Sequence, residues 1–275
     1  MRKSRAEATS FEYKTVFVDL SQYSQIYLVP LADLHEGARD ADHEVSGGYI
    51  RWIAEHKNAF TFLNGDVLNC AWKDSSPELY EDLITPDTAY QNLLTRLLPI
   101  KSKILMITRG GHEESIFRKV GHDYMADLAH DLGDIPYRPD GGMLALRLAQ
   151  GGTSDSHTAV FSVYATHGWG AARTIGAKVR KVEDLVMAVD ADCYVLSHDH
   201  TQNVRRLNTL IPTSNYRYLK VSRKLLINTG GFVKYAGYIQ RKGYVPTDLG
   251  TPRIRMELKY DSKSNQLEKD LHASI

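Results

Sequence analysis

The sequence has few cysteines, almost no charge imbalance and no long hydrophobic run. Of its 275 residues two are cysteines, and neither Cys70 nor Cys193 has a partner at the spacing of a metal site or a redox motif. We therefore expect both to be buried free thiols. Lys and Arg number 34 against 33 Asp and Glu, a formal net charge of +1. No overall field then draws the chain to nucleic acid or to a membrane, and any nucleic-acid contact must be local.

Membrane and targeting signals are also missing. No uninterrupted apolar run approaches membrane-spanning length, and the charged segment 1–7 is not followed by the apolar stretch of a signal peptide. These absences predict a soluble, cytoplasmic protein with no membrane partner, and they leave its oligomeric state open. We find no internal repeat, low-complexity segment or linker. The expected organisation is a frayed N-terminus (1–12), one domain (13–260) and a mobile C-terminal tail (261–275).

Apolar periodicity predicts strands that alternate with helices over most of the chain. Asp87 is placed to cap a helix that carries Leu93 and Leu97 on one face. Beyond Glu113 the pattern predicts one amphipathic helix that continues to about Gly133. The chain is mostly strand-like after residue 204, and these strands are expected to complete the second sheet. The earlier predicted strands cover residues 13–20, 25–32, 59–63, 104–108, 142–149, 158–165 and 192–196.

Five predicted strands end in aspartate or histidine. The residues are Asp33 and His35, Asp66, His112, His167, and His198 and His200. One such residue is more often a cap or a hydrogen-bonded core group, but five in succession favour a common site beyond the strand ends. Imidazole and carboxylate suit Mn, Fe and Zn, and a bridging carboxylate suits a two-metal centre. Residues two apart in an extended strand point the same way, so Asp33/His35 and His198/His200 can each offer two ligands.

In order and spacing, these motifs resemble those of the calcineurin-like metallophosphoesterases. The matching motifs are Asp33-Leu-His35, Gly65-Asp66, Gly110-Gly111-His112-Glu113, His167-Gly168 and Ser197-His198-Asp199-His200, within residues 26–203. The resemblance implies an α/β fold, a four-layer α-β-β-α sandwich of two mixed β-sheets, with a dinuclear metal centre at its loop tips.

The resemblance also implies a role for each site residue. Asp33, His35, Asp66 and His200 correspond to ligands of the first metal, with Asp66 bridging, and His167 and His198 to ligands of the second. His112 corresponds to the histidine that orients phosphate and protonates the leaving group after attack by a metal-bridging hydroxide. Glu113 corresponds to a partner that supports His112 from behind, and the two are the expected catalytic residues. Two divalent ions are implied, with Mn the first choice and Fe, Zn or Ni the alternatives.

Two positions depart from the family pattern. Ser197 replaces a glycine, which is tolerable if its backbone angles are ordinary. Gly111 replaces an asparagine whose side-chain oxygen serves the second metal, so that site lacks one ligand. Water or another side chain, with Asn69 as the candidate, could fill the gap, or the second metal could bind weakly. A third possibility is that the protein has lost its catalytic activity, or that this residue was deliberately changed to hold the protein in one state.

Basic and aromatic residues close to the motifs are candidates for substrate binding. Arg109 and Arg173 could contact phosphate through their guanidinium groups, and Arg173 is favoured because its loop follows His167 directly. Trp169 could stack on a base or close the loop. Three functions compete. The first is hydrolysis of a phosphodiester in a nucleotide or nucleic acid, the second is phosphomonoesterase or protein phosphatase activity, and the third is binding of a phosphorylated ligand or partner without turnover.

Overall fold

Two mixed β-sheets pack face to face in this protein. The structure, a computed structural model, describes residues 15–72, 82–152, 157–170, 172–213, 215–237, 240, 243, 245–261 and 266–275. The segment 1–12, predicted to be frayed, lies outside these residues. The strands are β1 Val16–Asp19, β2 Gln25–Leu31, β3 Ala59–Asn64, β4 Ile104–Thr108, β5 Gly142–Ala149, β6 Thr158–Thr166, β7 Cys193–Leu196, β8 Gln202–Pro212, β9 Leu219–Thr229, β10 Arg253–Asp261 and β11 Gln266–Ser274.

Each sheet contains three neighbouring parallel strands. One sheet has the order β1-β5-β6-β7-β9-β8, in which β6, β7 and β9 run parallel. The other has the order β11-β10-β2-β3-β4, in which β2, β3 and β4 run parallel. Because the carboxyl ends of parallel strands meet at one edge of a sheet, the loops after β2, β3, β4, β6 and β7 can converge on one site.

Helices cover the outer face of each sheet. They are α1 His43–Glu55, α2 Pro86–Leu97, α3 Gly111–Val120, α4 Tyr124–Asp131 and α5 Ile175–Ala188, with short 3₁₀ segments at Leu98–Lys103 and Gln150–Gly152. Side chains of α1, α2 and α4 pack on the β2-β3-β4 sheet, while α5 packs on β7 and β9. A third apolar cluster fills the space between the sheets. The predicted α-β-β-α sandwich of two mixed sheets is therefore confirmed.

Strand alternation divides the core into layers. In β2, Ile26 and Leu28 face the other sheet, whereas Val29 and Leu31 face the helices. Successive strand residues point to opposite faces, so a strand buried on both sides reads as a continuous apolar run. The predicted hairpin of β5 and β6 is present as an antiparallel pair. Cys70 and Cys193 are buried free thiols, as expected.

Two helix predictions were wrong in detail. The cap of α2 is Thr85, whose hydroxyl accepts the Thr88 N–H, and not Asp87, which lies inside the first turn. The long helix predicted after Glu113 is two helices. Gly121 ends α3 in the left-handed conformation (φ 74°), and the Asp123 carboxylate caps α4. The apolar stripe continues across this break because both helices pack on the same sheet, which periodicity alone does not reveal.

The prediction of a mobile tail from residue 261 was wrong for residues 266–274. They form β11, an edge strand paired with β10 along its length. Leu267 and Leu271 pack against the inter-sheet core and Ala273 is buried, while Glu268 and Asp270 alternate with the two leucines along the strand. The strands after residue 204 also divide differently from the prediction. Strands β8 and β9 join one sheet, and β10 and β11 join the other. Among the described residues, no helix is long and apolar enough to cross a membrane.

Candidate metal centre

The predicted ligands converge at the carboxyl ends of the central strands. Within the described residues, three groups have ligand atoms within 4.8 Å of one another: Asp33, His35 and His200; His35, Asp66 and His112; and Asp66, His167 and His198. His35 and Asp66 each belong to two groups, so the three groups form one continuous site. The structure thus brings together all six predicted metal ligands and His112.

The first half of the centre is built around Asp33, which is fully buried. Its Oδ2 accepts the His198 backbone N–H at 3.0 Å, while its Oδ1 has no hydrogen-bond partner. The Nε2 atoms of His200 and His35 lie 3.4 Å and 3.8 Å from that Oδ1 and 3.3 Å from each other. A buried carboxylate oxygen without a partner, faced by two imidazole nitrogens, fits a cation among these three atoms.

The second half is built around Asp66. Its Oδ1 accepts the His112 backbone N–H at 2.8 Å, and its Oδ2 lies 3.1 Å from His167 Nε2. His198 presents Nδ1 to the same His167 atom at 3.3 Å, and His112 Nε2 lies 3.9 Å from Asp66 Oδ2. Asp66 is therefore the carboxylate that joins the two halves.

Hydrogen bonds behind four of the imidazoles orient the rings. Each of these rings contacts a carbonyl oxygen. His35 Nδ1 lies 3.1 Å from Asn69 Oδ1, and His167 Nδ1 lies 2.8 Å from Asn64 O. His112 Nδ1 lies 2.7 Å from Asn69 O, and His198 Nε2 lies 2.5 Å from Gly170 O. Since these carbonyls can only accept, each ring is a donor on that side and turns its other nitrogen toward the centre.

The ligand residues have an unusual backbone conformation. Asp33, His35, Asp66, His198 and His200 have φ between 47° and 72°, in the left-handed region that costs a side-chain-bearing residue energy. Our expectation that Asp33/His35 and His198/His200 lie on extended strands was therefore wrong. The pairs converge through left-handed turns after the strands end. Ser197 is not among the left-handed residues, and its Oγ accepts the Asn64 Nδ2–H at 2.7 Å, so it replaces glycine without strain.

Electrostatics in the centre favours a bound cation. Burial raises the pKa of Asp66, but His167 and His112 outweigh burial and hold that pKa well below its usual range. Burial likewise raises the pKa of Asp33, and His200 and His35 bring it below the usual value. Burial lowers the pKa of His167, whereas Asp66 raises it, to about 10. Two buried carboxylates that stay ionised need positive charge beside them, and a divalent ion can replace the His167 proton.

Glu113 positions the loops. Its Oε2 accepts the backbone N–H groups of Asp66 (3.0 Å) and Gly110 (2.9 Å), and its Oε1 accepts that of Leu68 (2.9 Å). Burial and the Asp66 charge raise the pKa of Glu113 to about 7. Because both oxygens bind backbone donors, Glu113 is a residue that ties the Asp66 loop to the start of α3. These contacts are those of a positioning residue, and the predicted part of Glu113 in catalysis stays a prediction.

Two lysines of α5 support the loop that carries His198 and His200, and sequence reasoning missed both. Lys178 is buried and donates to Asp199 O at 2.8 Å and to Thr201 Oγ1 at 2.6 Å. Lys181 Nζ lies 2.8 Å from Asp199 Oδ1. Asp199 therefore faces the helix while its two histidine neighbours face the metal centre. The only sequence signal was a pair of lysines three residues apart on the face of α5 that also buries Val182.

The two candidate arginines have different surroundings. Arg109 is ion-paired with Asp123 (2.6 Å) and Glu114, and it lies over the Phe117 ring. These contacts occupy its guanidinium group, so Arg109 joins β4 to α3 and α4 and is not the phosphate contact that was predicted. Arg173 is exposed in the loop that follows His167. Trp169 is half exposed in the same loop.

Gly111, which stands where the family pattern has an asparagine, has room for a side chain. A Cβ built on Gly111 has no neighbouring atom within 4 Å. The proposed substitute, Asn69, bonds through its side chain to His35 (3.1 Å) and Asp82 (2.5 Å). The structure therefore places the Asn69 side chain behind a first-metal ligand, which differs from the second-metal role predicted for it.

Comparisons with known proteins give distant structural likenesses and no family. No family model and no curated protein matches the chain. The solved structures it resembles include a metallophosphoesterase from Sphaerobacter thermophilus (12% identity, 91% of this chain and 88% of that one, TM-score 0.40). A predicted phosphoesterase from Streptococcus pneumoniae is also similar, with 12% identity, coverage of 92% of this chain and 99% of that one, and a TM-score of 0.34. So is a Vps29 double mutant from Entamoeba histolytica, with 10% identity, coverage of 90% of this chain and 99% of that one, and a TM-score of 0.39. At these identities and TM-scores the likeness carries no argument about family, fold or activity.

Proposed function

We propose that the protein is a metal-dependent phosphoesterase that hydrolyses a phosphodiester in a nucleotide or nucleic acid. The observation that carries the proposal is the shared carboxylate. Asp66 belongs to two adjoining groups of potential ligands, and each group also contains histidine. Imidazole and carboxylate donors suit Mn, Fe, Zn or Ni, and we propose two divalent ions with Mn as the first choice. Such ions supply Lewis-acid stabilisation of the charge on a phosphoryl group.

His112 is the proposed proton donor. Its Nδ1 donates to Asn69 O at 2.7 Å, and its backbone N–H is held by Asp66 Oδ1 at 2.8 Å. These two bonds leave Nε2 as the ring atom turned toward the centre, where a protonated ring can pass its proton to a leaving oxygen. Arg173 and Trp169 are the proposed contacts to phosphate and to a planar group of the substrate.

The test uses Mn-loaded protein with bis(p-nitrophenyl) phosphate. We expect cleavage, and we expect His112→Ala to lower kcat by about 10²- to 10⁴-fold, the usual contribution of a proton donor. His130→Ala is the matched control because His130 is exposed on α4 and paired with Asp134, also exposed. Full activity in His112→Ala would contradict its role. Faster cleavage of p-nitrophenyl phosphate than of the diester would favour the phosphomonoesterase alternative.

Binding without turnover is the second candidate, and Gly111 is the observation that favours it. Glycine offers the second metal no side-chain oxygen, and nothing else occupies the space beside it. Gly111→Asn should fit without a clash. If the missing oxygen limits activity, the variant should bind Mn at least about tenfold more tightly and gain hydrolysis, in line with the size of single-partner effects at metal sites. Calorimetry and the diester assay measure the two effects. An unchanged Mn affinity would mean that the second site is satisfied in another way.

A further inference from the structure

A cavity beside helix α3 lies outside the metal centre. It has a volume of about 380 Å³, and it is lined by Trp72, by Asp87 and by five residues of the stretch 116–124. Sites for small molecules usually begin at about 300 Å³, so this cavity is large enough to hold a ring system. None of these lining residues is one of the candidate metal ligands. We call this cavity the α3 pocket.

One side of α3 leads from the metal centre to the α3 pocket. His112, Ile116 and Val120 follow one another at intervals of four residues, so they lie on the same side of the helix. With a rise of about 1.5 Å per residue, Ile116 is about 6 Å and Val120 about 12 Å from His112 along the helix axis. The row therefore begins at the proposed proton donor and ends in the pocket.

The segment that follows β3 runs beside the same helix. At one end of this segment Asn69 O accepts the His112 Nδ1–H at 2.7 Å. At the other end the Trp72 indole N–H donates to Ser115 Oγ at 2.8 Å, and Lys119 Nζ lies 4.6 Å from the centre of the Trp72 ring. The pocket and the metal centre thus share two walls, and a group attached to a phosphate at the centre can extend into the pocket.

The pocket walls are largely apolar and include two aromatic rings. Ile116 is buried and Val120 is 70% exposed, so part of this apolar surface is open to solvent. Trp72 and Tyr124 supply the rings, and His122 stands edge-on to Tyr124 with the ring centres 4.2 Å apart. Aromatic walls of this kind favour a planar ligand, because its flat face gives a large contact area.

Two side chains of opposite charge also line the pocket. Lys119 carries three N–H donors, and it can bond to a ligand while it stays over the Trp72 ring. Asp87 Oδ1 accepts the Tyr124 hydroxyl at 2.6 Å, and its carboxylate has further acceptor positions. Because the two charges balance, the pocket has no net attraction for an anion, and the phosphate itself belongs at the metal centre.

These features are complementary to one class of ligand. A nucleobase is planar, and its edge carries acceptors for Lys119 and, in adenine, cytosine and guanine, an amino donor for Asp87. An acyl chain has no polar edge, so it would leave both charged groups desolvated without partners. A second phosphate would meet the Asp87 carboxylate, which repels it. The pocket therefore fits a base.

We propose that the α3 pocket is a subsite for a nucleobase that is attached to the phosphate at the metal centre. The inference rests on the proposed function, since it takes a phosphoester of a nucleoside as the substrate. The base contacts the apolar and aromatic walls, and Lys119 donates to one of its ring or carbonyl acceptors. Trp169 belongs to the loop that follows His167, and it remains for the second group of a diester.

Calorimetry with ligands that cannot be hydrolysed tests the subsite. The first ligand is an adenosine 5′-phosphonate in which a methylene group replaces the ester oxygen, and the second is the same phosphonate of ribose without a base. Mn-loaded protein should bind the first at least about fivefold more tightly, the lower end of what a base gains by stacking on an aromatic side chain. Val120→Asp should bring the ratio of the two dissociation constants close to one, because the base would remove water from the new carboxylate.

Met187→Asp is the matched control. Val120 is the last residue of α3 and Met187 the next to last of α5, and both side chains are mostly exposed. Each substitution therefore places a carboxylate at the same unfavourable end of a helix, and only Val120→Asp places it in the pocket. Met187→Asp should keep the wild-type ratio. Circular dichroism verifies that both variants are folded.

Nuclear magnetic resonance locates the bound base. The chain has three tryptophans, Trp52, Trp72 and Trp169, and replacing each by phenylalanine assigns its indole N–H signal. The adenosine phosphonate should shift the Trp72 signal, and the ribose phosphonate should leave it nearly unchanged. A base-dependent shift confined to Trp169 would overturn the proposal. Equal affinities for the two ligands, or no binding of either, would do the same.

Neither measurement depends on turnover. If the adenosine phosphonate binds beside Trp72 and bis(p-nitrophenyl) phosphate is not cleaved, the subsite stands and the proposed hydrolysis fails. If the diester is cleaved and the base adds nothing to binding, the hydrolysis stands and the subsite fails.

Discussion

Asp66→Asn is expected to abolish hydrolysis and to lower the metal content of the purified protein. One carboxylate oxygen of Asp66 holds the His112 backbone, and the other faces His167, so the residue joins both halves of the centre. Asparagine keeps the shape but removes the charge and one acceptor. Even the residues that only orient metal ligands cost roughly 10- to 100-fold in affinity when changed, so the loss at Asp66 should exceed about 100-fold.

The control for this substitution is Asp134→Asn. Asp134 also has a left-handed backbone (φ 58° against 49° for Asp66), but its side chain is exposed and bonds to His130. Comparing the two variants separates the loss of a ligand from the effect of placing asparagine in that conformation. Elemental analysis and the diester assay are the measurements. An Asp66→Asn protein that holds as much metal as the Asp134→Asn protein would show that Asp66 is not a ligand.

The clustering of the candidate ligands could be predicted from the sequence because the signal is local. Each candidate stands directly after an apolar strand, and the parallel strand pairing brings those ends together. The orientation of the rings could not be predicted in this way. His35 is oriented by Asn69, 34 residues away, and His167 by Asn64, 103 residues away. These pairings exist only once the loops have converged.

The roles of charged residues near the site also could not be predicted from the sequence around them. Arg109 is next to the ligand motif in sequence, and its position suggested phosphate binding, but its partners Asp123 and Glu114 are supplied by the folded α3 and α4 region. Lys178 is the opposite case. The sequence analysis did not single it out, and it is buried against the loop of His198 and His200. A charged side chain is available to the site only if the fold places no ion-pair or hydrogen-bond partner beside it. Its neighbours in sequence do not determine which partners those are.

Left-handed backbone at the ligands has a further consequence for the fold. Five of the candidate ligands occupy a conformation that each would avoid in isolation, at a cost on the order of 1 kcal/mol or more per residue. The neighbouring loops enforce it through hydrogen bonds such as Asp33 N–H to Gly65 O (3.1 Å) and His35 N–H to Asp66 O (3.0 Å). Binding of a divalent ion to the folded state alone would offset part of this cost by mass action.

Adjacent glycines should respond in opposite ways to the same substitution. A Cβ on Gly110 would lie 2.2 Å from both the backbone N and the Oδ1 of Asp66, closer than any real Cβ contact, and the backbone of the Asp66 loop would have to move. Gly110→Ala should therefore destabilise the protein by at least about 3 kcal/mol, the upper part of the usual range for overpacking, and should displace the shared carboxylate. A Cβ on Gly111, the first residue of α3, meets nothing within 4 Å.

Gly111→Ala is consequently the matched control for Gly110→Ala, and it should leave stability unchanged or raise it by up to about 1 kcal/mol, because alanine is the better helix former. Thermal and denaturant unfolding without added metal measure the structural effect, and Mn binding measured by calorimetry reports the position of Asp66. Loss of Mn binding in Gly110→Ala together with retention in Gly111→Ala would show that the tight packing of Gly110 holds the bridging carboxylate in place. Equal effects of the two substitutions on stability would mean that the Gly110 loop can yield, and that the close approach of Gly110 to Asp66 is not what positions the centre.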